Sequence, residues 1–357
     1  MRKWNYGLLA ILVFGLLACN GDGRRSPPST GKAENNPYLI LAEQELSPPT
    51  LPKNRSSPTP PPKTKTAVNT GIRLPKVNPL EVEGDLTIAG SYTVFPLTKR
   101  IFHRFVEEGY AGILKLDSIS SDEGFKLFCQ DGKIDIANAS RPINFEEIDA
   151  CNAKGRSPLQ FPVGSDAIVV VVHPENNFLN NVSFYELDLI FTARNWSDVN
   201  PSWPNQPIQR FVGHRDSEIV EFFAAIVFNS NLQPIFNAPN TKFTEIDIEL
   251  IRRVSSNKYA VGFLSYANYR QNAESLKMLS IEGVKADFNA IENEQYFLVR
   301  PLFIYTDAKM MKNNPQVADF INFYLTNASE EAWQIGYFPA SKRELEEAKL
   351  KFLEETR

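Results

Sequence analysis

The chain reads LTIAGSYTVFP at residues 86–96. The first four residues form an apolar run, and after Pro96 apolar side chains recur with helical spacing, which predicts a strand, a tight turn and a helix. A helix N-terminus carries N–H groups without partners and favours negative charge. The hydroxyls of Ser91 and Thr93 in the turn therefore either cap the helix or contribute to an anion site.

The rest of the folded part is predicted to be α/β. From residue 86 onward, short apolar runs alternate with helical patterns, which is typical of an α/β fold with a largely parallel sheet. The run IVVVV at 168–172 has no polar alternation, as expected of a strand buried on both faces. Predicted strands cover 86–89, 113–119, 134–137, 159–163, 167–173, 208–212, 260–264 and 298–305. Predicted helices cover 96–108, 124–130, 145–151, 184–191, 217–228, 315–326 and 329–335.

Residues 1–19 have the pattern of a secretion signal. Arg2 and Lys3 precede an apolar core over 8–17, which is too short for a typical transmembrane helix. The residues LLAC at 16–19 resemble a bacterial lipobox, which implies lipid on Cys19 and anchoring by several acyl chains. A plain signal peptide with an incidental cysteine is the alternative.

Residues 20–83 are predicted to be an unfolded tether. Twelve of the 25 prolines lie there, with too few apolar side chains to offset the entropy of ordering. Nine Lys/Arg and four Asp/Glu between 20 and 80 give +5, and Arg2 and Lys3 add +2. The formal net charge of −4 then leaves −11 for residues 81–357. Such an acidic folded part argues against nucleic acid as a partner, because binding a phosphate backbone needs a basic surface.

Cys129 and Cys151 are the cysteines of the folded part. An exported protein can form a disulfide between them, which would close a loop of roughly 20 residues. Two buried thiols without a bond are the alternative. The sequence has no CxxC or Cys/His spacing, no P-loop signature and no nucleophile–base pattern, so we expect no metal, no cofactor and no catalysis.

Four loops carry residues suited to binding an anion. They read GSYTVFP at 90–96, SISSDEG at 118–124, ANASRP at 137–142 and GHRDS at 213–217. Each follows the carboxyl end of a predicted strand, where open α/β sheets bind ligands. Hydroxyls, two arginines and helix N-termini that meet at one place form an oxyanion cage. For each loop taken alone, helix capping is the alternative.

In this order the loops resemble those of the PstS-type phosphate-binding components of bacterial ABC importers, particularly the SphX-like branch of cyanobacteria. The resemblance covers about residues 85–339. Its strongest matches are DIANASRPI at 135–143 and NWSDVNP at 195–201, followed by RPLFIY at 300–305 and GYFP at 336–339.

The resemblance implies a type II periplasmic-binding-protein fold, in which two α/β lobes, each a mixed sheet flanked by helices, clamp the anion in the cleft between them. The binding domain would cover 84–340, with lobe 1 at about 85–163 and 281–340 and lobe 2 at about 164–280. Closure on phosphate would present the closed form to an ABC permease. We further expect a helical tail at 341–357.

The function implied is that of a phosphate-binding lipoprotein that feeds an ABC importer. It would be a monomer in the periplasm or at the cell surface, anchored to the membrane through Cys19. The alternative is a divergent paralogue with altered or lost anion binding, which acts as a sensor or interaction module.

Carried over by motif, the phosphate ligands are Ser91, Thr93, Ser121, Ser140, Arg141, Arg215 and Ser217. Two loops depart from the family pattern. The second reads Asp122-Glu123-Gly124 where the family is Gly-rich, and the fourth reads Ser217-Glu218-Ile219 where the family has Ser-Gly-Thr. Glycine would let the backbone approach an oxyanion closely. One carboxylate in the cleft could accept a proton from phosphate, whereas more than one would repel it. All three acids pointing outward, as first-turn acids, is the other arrangement.

Overall fold

One sheet of nine strands runs through the part of the chain that the computed structural model describes, residues 71–357. A second sheet has two strands. The strands are β1 (Leu86–Ser91), β2 (Leu114–Ile119), β3 (Ile136–Ala139), β4 (Pro158–Val172), β5 (Asn181–Val182), β6 (Gln209–Val212), β7 (Thr241–Phe243), β8 (Ala260–Ser265), β9 (Lys277–Met278), β10 (Ser280–Ile281) and β11 (Val299–Asp307).

Helices flank the large sheet. They are α1 (Phe95–Glu107), α2 (Ser121–Phe125), α3 (Phe145–Ala153), α4 (Phe184–Ile190), α5 (Trp196–Val199), α6 (Glu218–Val227), α7 (Gln233–Asn237), α8 (Asp247–Ser255), α9 (Tyr266–Gln271), α10 (Phe288–Glu292), α11 (Ala308–Asn313), α12 (Pro315–Gln334) and α13 (Lys342–Glu355). A 3₁₀ turn covers Pro79–Glu81, and a π-helical segment, Lys126–Asp131, follows α2. None of the helices described over 71–357 is long and apolar enough to cross a membrane.

The sheet is mixed, with two parallel groups of strands joined by two antiparallel ones. Its order is β2–β1–β3–β11–β4–β8–β6–β7, and β9 pairs with β4. The strand β1 is parallel to β2 and β3, and β6 is parallel to β7 and β8. Between these groups, β11 and β4 are antiparallel to their neighbours. The α/β class and a mixed sheet are confirmed, whereas a largely parallel sheet is not found, because β11 runs antiparallel to β3 and β4, and β4 runs antiparallel to β8.

Two apolar cores lie on the two sides of this junction and define two lobes. Lobe 1 packs α1 and α12 against β1, and lobe 2 packs α6 and α8 against the second half of β4. Ala286, Ala290, Tyr296 and Leu298 lie in the core of lobe 2. Lobe 2 therefore extends to about residue 298, and the predicted boundary at 281 lies too early.

Both ends of the described chain pack onto lobe 1. Leu74 and Val77 contact its core, and Asn322 Nδ2 donates to the carbonyl oxygen of Pro75 at 3.0 Å. Residues 71–83, which the sequence assigns to the tether, are thus part of the packed structure. At the other end α13, in the place of the expected helical tail, buries Ala348 and Phe352 in the same core. The predicted signal, Cys19 and most of the tether lie outside the described residues.

The disulfide between Cys129 and Cys151 is confirmed. It joins the π-helical segment to α3, inside a small apolar cluster that also contains Phe125, Phe128 and Tyr305. The bond therefore ties together the segments that follow the second and third predicted loops.

Candidate anion-binding site

Three of the four predicted loops lie side by side because their strands are neighbours. Gly90, at the end of β1, pairs with Ser118 of β2 on one side and with Asn138 of β3 on the other. A Cβ atom at Gly90 would lie 2.1 Å from the carbonyl oxygen of Asn138, and its φ is +132°. A Cβ atom at Gly124 would lie 2.7 Å from Gly90 Cα. The two glycines thus allow the loops to approach closely.

The centre of this cage is occupied by the carboxylate of Glu218. Ser91 Oγ and Thr93 Oγ1 donate to its Oε2 at 2.7 and 3.2 Å. The backbone N–H and the hydroxyl of Ser121 donate to its Oε1 at 3.0 and 2.8 Å. Four donors from lobe 1 therefore bind one carboxylate that comes from lobe 2, at the first residue of α6.

A second layer of backbone groups orients the hydroxyl donors. The Ser140 N–H donates to Ser121 Oγ at 3.1 Å, and the Thr93 N–H donates to Ser91 Oγ at 3.2 Å. Because the Ser91 and Ser121 hydroxyls each accept a backbone N–H, the single proton of each is available to the carboxylate. The Tyr337 hydroxyl donates to the carbonyl oxygen of Thr93 at 2.9 Å and holds the first loop from the side of the C-terminus.

Arg300 supplies the positive charge next to the cage. Its side chain is 4% exposed, and its Nη1 lies 4.0 Å from Glu218 Oε2. Nη2 donates to the buried Asp166 at 3.1 Å, while Nε and Nη1 have no hydrogen-bond partner among the described atoms. The sequence does not predict this role of Arg300, although an arginine within the apolar strand LVRPLFIY, at 298–305, is a signal for a buried charge with a function.

The surroundings of Glu218 favour its charged form. Burial raises the pKa of this carboxyl, but hydrogen bonds from Ser91 and Ser121 and the charge of Arg300 outweigh burial, so its pKa lies below the ordinary value. Burial raises the pKa of Asp166, against the effect of its pairing with Arg300. The hydroxyl and N–H donors of the cage, together with Arg300, thus favour the ionised form of the Glu218 carboxylate.

Arg141, a predicted ligand, lines the cleft but is paired with acids. Its guanidinium donates to the two carboxylate oxygens of Glu147 at 2.6 and 2.9 Å and also binds Asp122. The hydrogen bond with Glu147 has the largest effect on the pKa of Arg141, and together with Asp122 it raises that pKa. The guanidinium also lies over the ring of Phe125, 5.1 Å from the ring centroid.

Within residues 71–357, Arg215 and Ser217, predicted ligands of the fourth loop, make no hydrogen bond or ion pair with the cage. The Arg215 guanidinium stacks on Phe236 and Phe243 of lobe 2, at 4.7 and 4.2 Å from the ring centroids. Ser217 precedes α6, and its buried Oγ has no hydrogen-bond partner in the described structure. The fourth loop therefore reaches the cage through Glu218.

The three acids that depart from the family pattern have different surroundings. The Asp122 side chain is 81% exposed, Glu123 is exposed, and Glu218 is 12% exposed inside the cage. A cleft of about 510 Å³ adjoins the cage, with Tyr92, Asp216, Glu221 and Phe222 among its lining residues. Within 71–357, no group of three His, Cys, Asp or Glu side chains could hold a metal ion.

Comparison with known proteins identifies the family. The pattern of the PBP superfamily domain matches residues 59–328 of this chain. The chain belongs to the PBP superfamily. The matched range includes all four loops of the cage, Arg300, and most of both lobes.

Individual relatives of this PBP-superfamily chain agree with the resemblance. Protein SphX from Synechocystis is 33% identical over 287 residues, which cover 77% of this chain and 84% of that protein. The phosphate-binding protein PstS from Staphylococcus saprophyticus is 27% identical over 278 residues, or 76% of this chain and 84% of that protein.

A solved structure extends the similarity to three dimensions. A possible phosphate-binding protein from Planctomyces limnophilus matches with a TM-score of 0.64 and 29% identity, over 78% of this chain and all of that chain. The resemblance to PstS and SphX proteins and the expected binding-protein fold are both confirmed.

Proposed function

We propose that this protein binds inorganic phosphate between its two lobes and delivers it to an ABC importer. The observation that carries the proposal is the cage itself, in which Ser91, Thr93 and Ser121 direct four donors at one oxyanion beside buried Arg300. Such hydroxyl and N–H donors suit a tetrahedral anion, because a buried anion needs nearly complete hydrogen bonding. The PstS relatives carry the name phosphate-binding protein.

The proposed setting is outside the cytoplasm. The signal pattern and lipobox at 1–19 support export and a lipid anchor on Cys19. The disulfide agrees with an oxidising compartment. We propose a monomer that binds its solute without chemical change.

A specific observation favours a second candidate. Glu218 fills the cage, as expected of a paralogue whose anion binding is altered or lost and which acts as a sensor or interaction module. The two candidates differ in whether the natural chain binds phosphate at all.

Calorimetric titration of the full chain, purified in detergent, tests the choice. We expect saturable binding of phosphate and of arsenate, which has the same shape and charge. The absence of phosphate binding at millimolar concentration would contradict the proposed transport function and favour the second candidate. Sulfate, which carries no proton at neutral pH, serves as the comparison anion.

The same titration tests Arg141. Its replacement, Arg141→Ala, should weaken phosphate binding by about 2 kcal/mol if its guanidinium turns from Glu147 to the anion, because a charged hydrogen bond is lost. Arg215→Ala is the matched comparison, since that guanidinium stacks on two rings in lobe 2. Unchanged affinity in Arg141→Ala would remove Arg141 from the ligand set.

A further inference from the structure

Glu218 binds the cage in the way that a small oxyanion would. Each of its two carboxylate oxygens accepts two hydrogen bonds, and the unpartnered Nη1 of Arg300 lies 4.0 Å from one of them. All the hydrogen-bond donors belong to lobe 1, whereas Glu218 belongs to lobe 2.

This arrangement is unlike that of an ordinary acid in the first turn of a helix. Such an acid normally stays near solvent, where the N-terminal dipole of its own helix stabilises its charge. Asp122, in the first turn of α2, behaves in this way and is 81% exposed. Glu218 is instead 12% exposed and reaches across to the loops of the other lobe.

Phosphate and Glu218 cannot fill the cage together. The donor atoms of Ser91 and Ser121 are already used by the carboxylate. An anion held within about 4 Å of that carboxylate would lose up to about a thousandfold in affinity through repulsion between like charges. Phosphate can therefore bind in the cage only when the carboxylate of Glu218 has left it.

We propose that Glu218 is a tethered ligand of the anion site, which phosphate must displace in order to bind. This inference rests on the proposed phosphate site and adds the residue that determines its affinity. Displacement has to compete with an intramolecular contact that is present at a high effective concentration. The site consequently fills at higher phosphate concentrations than the same cage would without Glu218.

The test compares the full chain with two variants that each remove one acid. Glu218→Ala empties the cage, and Glu123→Ala removes an exposed first-turn acid of α2 as the matched control. In phosphate-free buffer followed by calorimetric titration, we expect Glu218→Ala to bind phosphate at least about tenfold more tightly than the natural chain. The control should stay within about twofold.

A second readout does not depend on phosphate. Acetate, a free carboxylate, should raise the unfolding temperature of Glu218→Ala but not that of the natural chain, whose cage is already filled. Glu218→Ser, whose short side chain also leaves the cage free, replaces Glu218→Ala if the latter does not fold.

The outcomes separate the two proposals. Equal or weaker phosphate binding by Glu218→Ala would overturn the tethered ligand while leaving the phosphate site in place. If neither protein binds phosphate but acetate stabilises Glu218→Ala alone, the tethered ligand stands and the proposed function fails. If neither anion has an effect on Glu218→Ala, both proposals are wrong.

Discussion

At the scale of single residues, the ionisation of Glu218 is coupled to folding. Its pKa in the folded protein lies below the ordinary value of 4.5, despite burial, because hydroxyl and N–H donors and Arg300 favour the charged form. A carboxyl with a lowered folded pKa stabilises the fold above its unfolded pKa, and this contribution is lost as the pH falls through the folded value.

The variant Glu218→Gln measures this coupling. In phosphate-free buffer at pH 7, the natural chain should have a free energy of unfolding at least about 1 kcal/mol above that of Glu218→Gln, because charged hydrogen bonds are lost. The difference should shrink as the pH falls below about 4.5. Urea unfolding at pH 7, 5 and 3 provides the comparison. A difference that stays constant over this range would show that the charge of Glu218 does not stabilise the fold.

The hydroxyl groups of the cage are easier to predict from the sequence than the positively charged side chain beside it. Ser91, Thr93 and Ser121, which the family motifs imply as ligands, lie in the cage because short side chains at the ends of neighbouring strands can reach only the space next to their own loops. Long side chains are less predictable, since they choose among several partners. Arg141 forms an ion pair with Glu147, six residues later in the chain, whereas the buried Arg300 lies beside the cage. Which partner an arginine binds depends on distances in the folded structure, and these cannot be read from the spacing of residues along the sequence.

At the scale of elements, the pairing of β4 with β11 explains why one long strand stands where two are predicted. The sequence predicts two strands, 159–163 and 167–173, because Gly164, Ser165 and Asp166 interrupt the apolar pattern. The structure has one strand, β4, because β11 pairs with those positions and Arg300 lies opposite Asp166. A tertiary ion pair therefore stabilises a polar interruption that local propensity treats as a break.

The disulfide is the element-scale contact whose energy can be tested directly. It closes a loop with a sequence separation of 22, so its removal should lower the free energy of unfolding by about 3 kcal/mol. Urea unfolding of the double variant Cys129→Ala/Cys151→Ala measures the loss. Adding dithiothreitol should destabilise the natural chain but leave the double variant unchanged. Equal stability of the oxidised chain and the variant would contradict a stabilising role.

At the scale of the whole molecule, the two lobes have two kinds of connection. The strands β4 and β11 pass through both cores and form a covalent hinge, while Glu218 bridges the lobes through hydrogen bonds alone. In binding proteins that close around a solute, the solute supplies such a bridge. Here Glu218 of α6 supplies a contact between the lobes at the cage without an external anion.

Removing Glu218 should therefore open the cleft. We expect Glu218→Ala, in phosphate-free buffer, to have a larger radius of gyration by small-angle X-ray scattering than the natural chain. Phosphate should return the variant to the compact value, because the anion replaces the missing bridge between the lobes. The natural chain and the control Glu123→Ala should have nearly the same radius with and without phosphate. A variant that stays compact without any anion would mean that the hinge strands alone hold the lobes together.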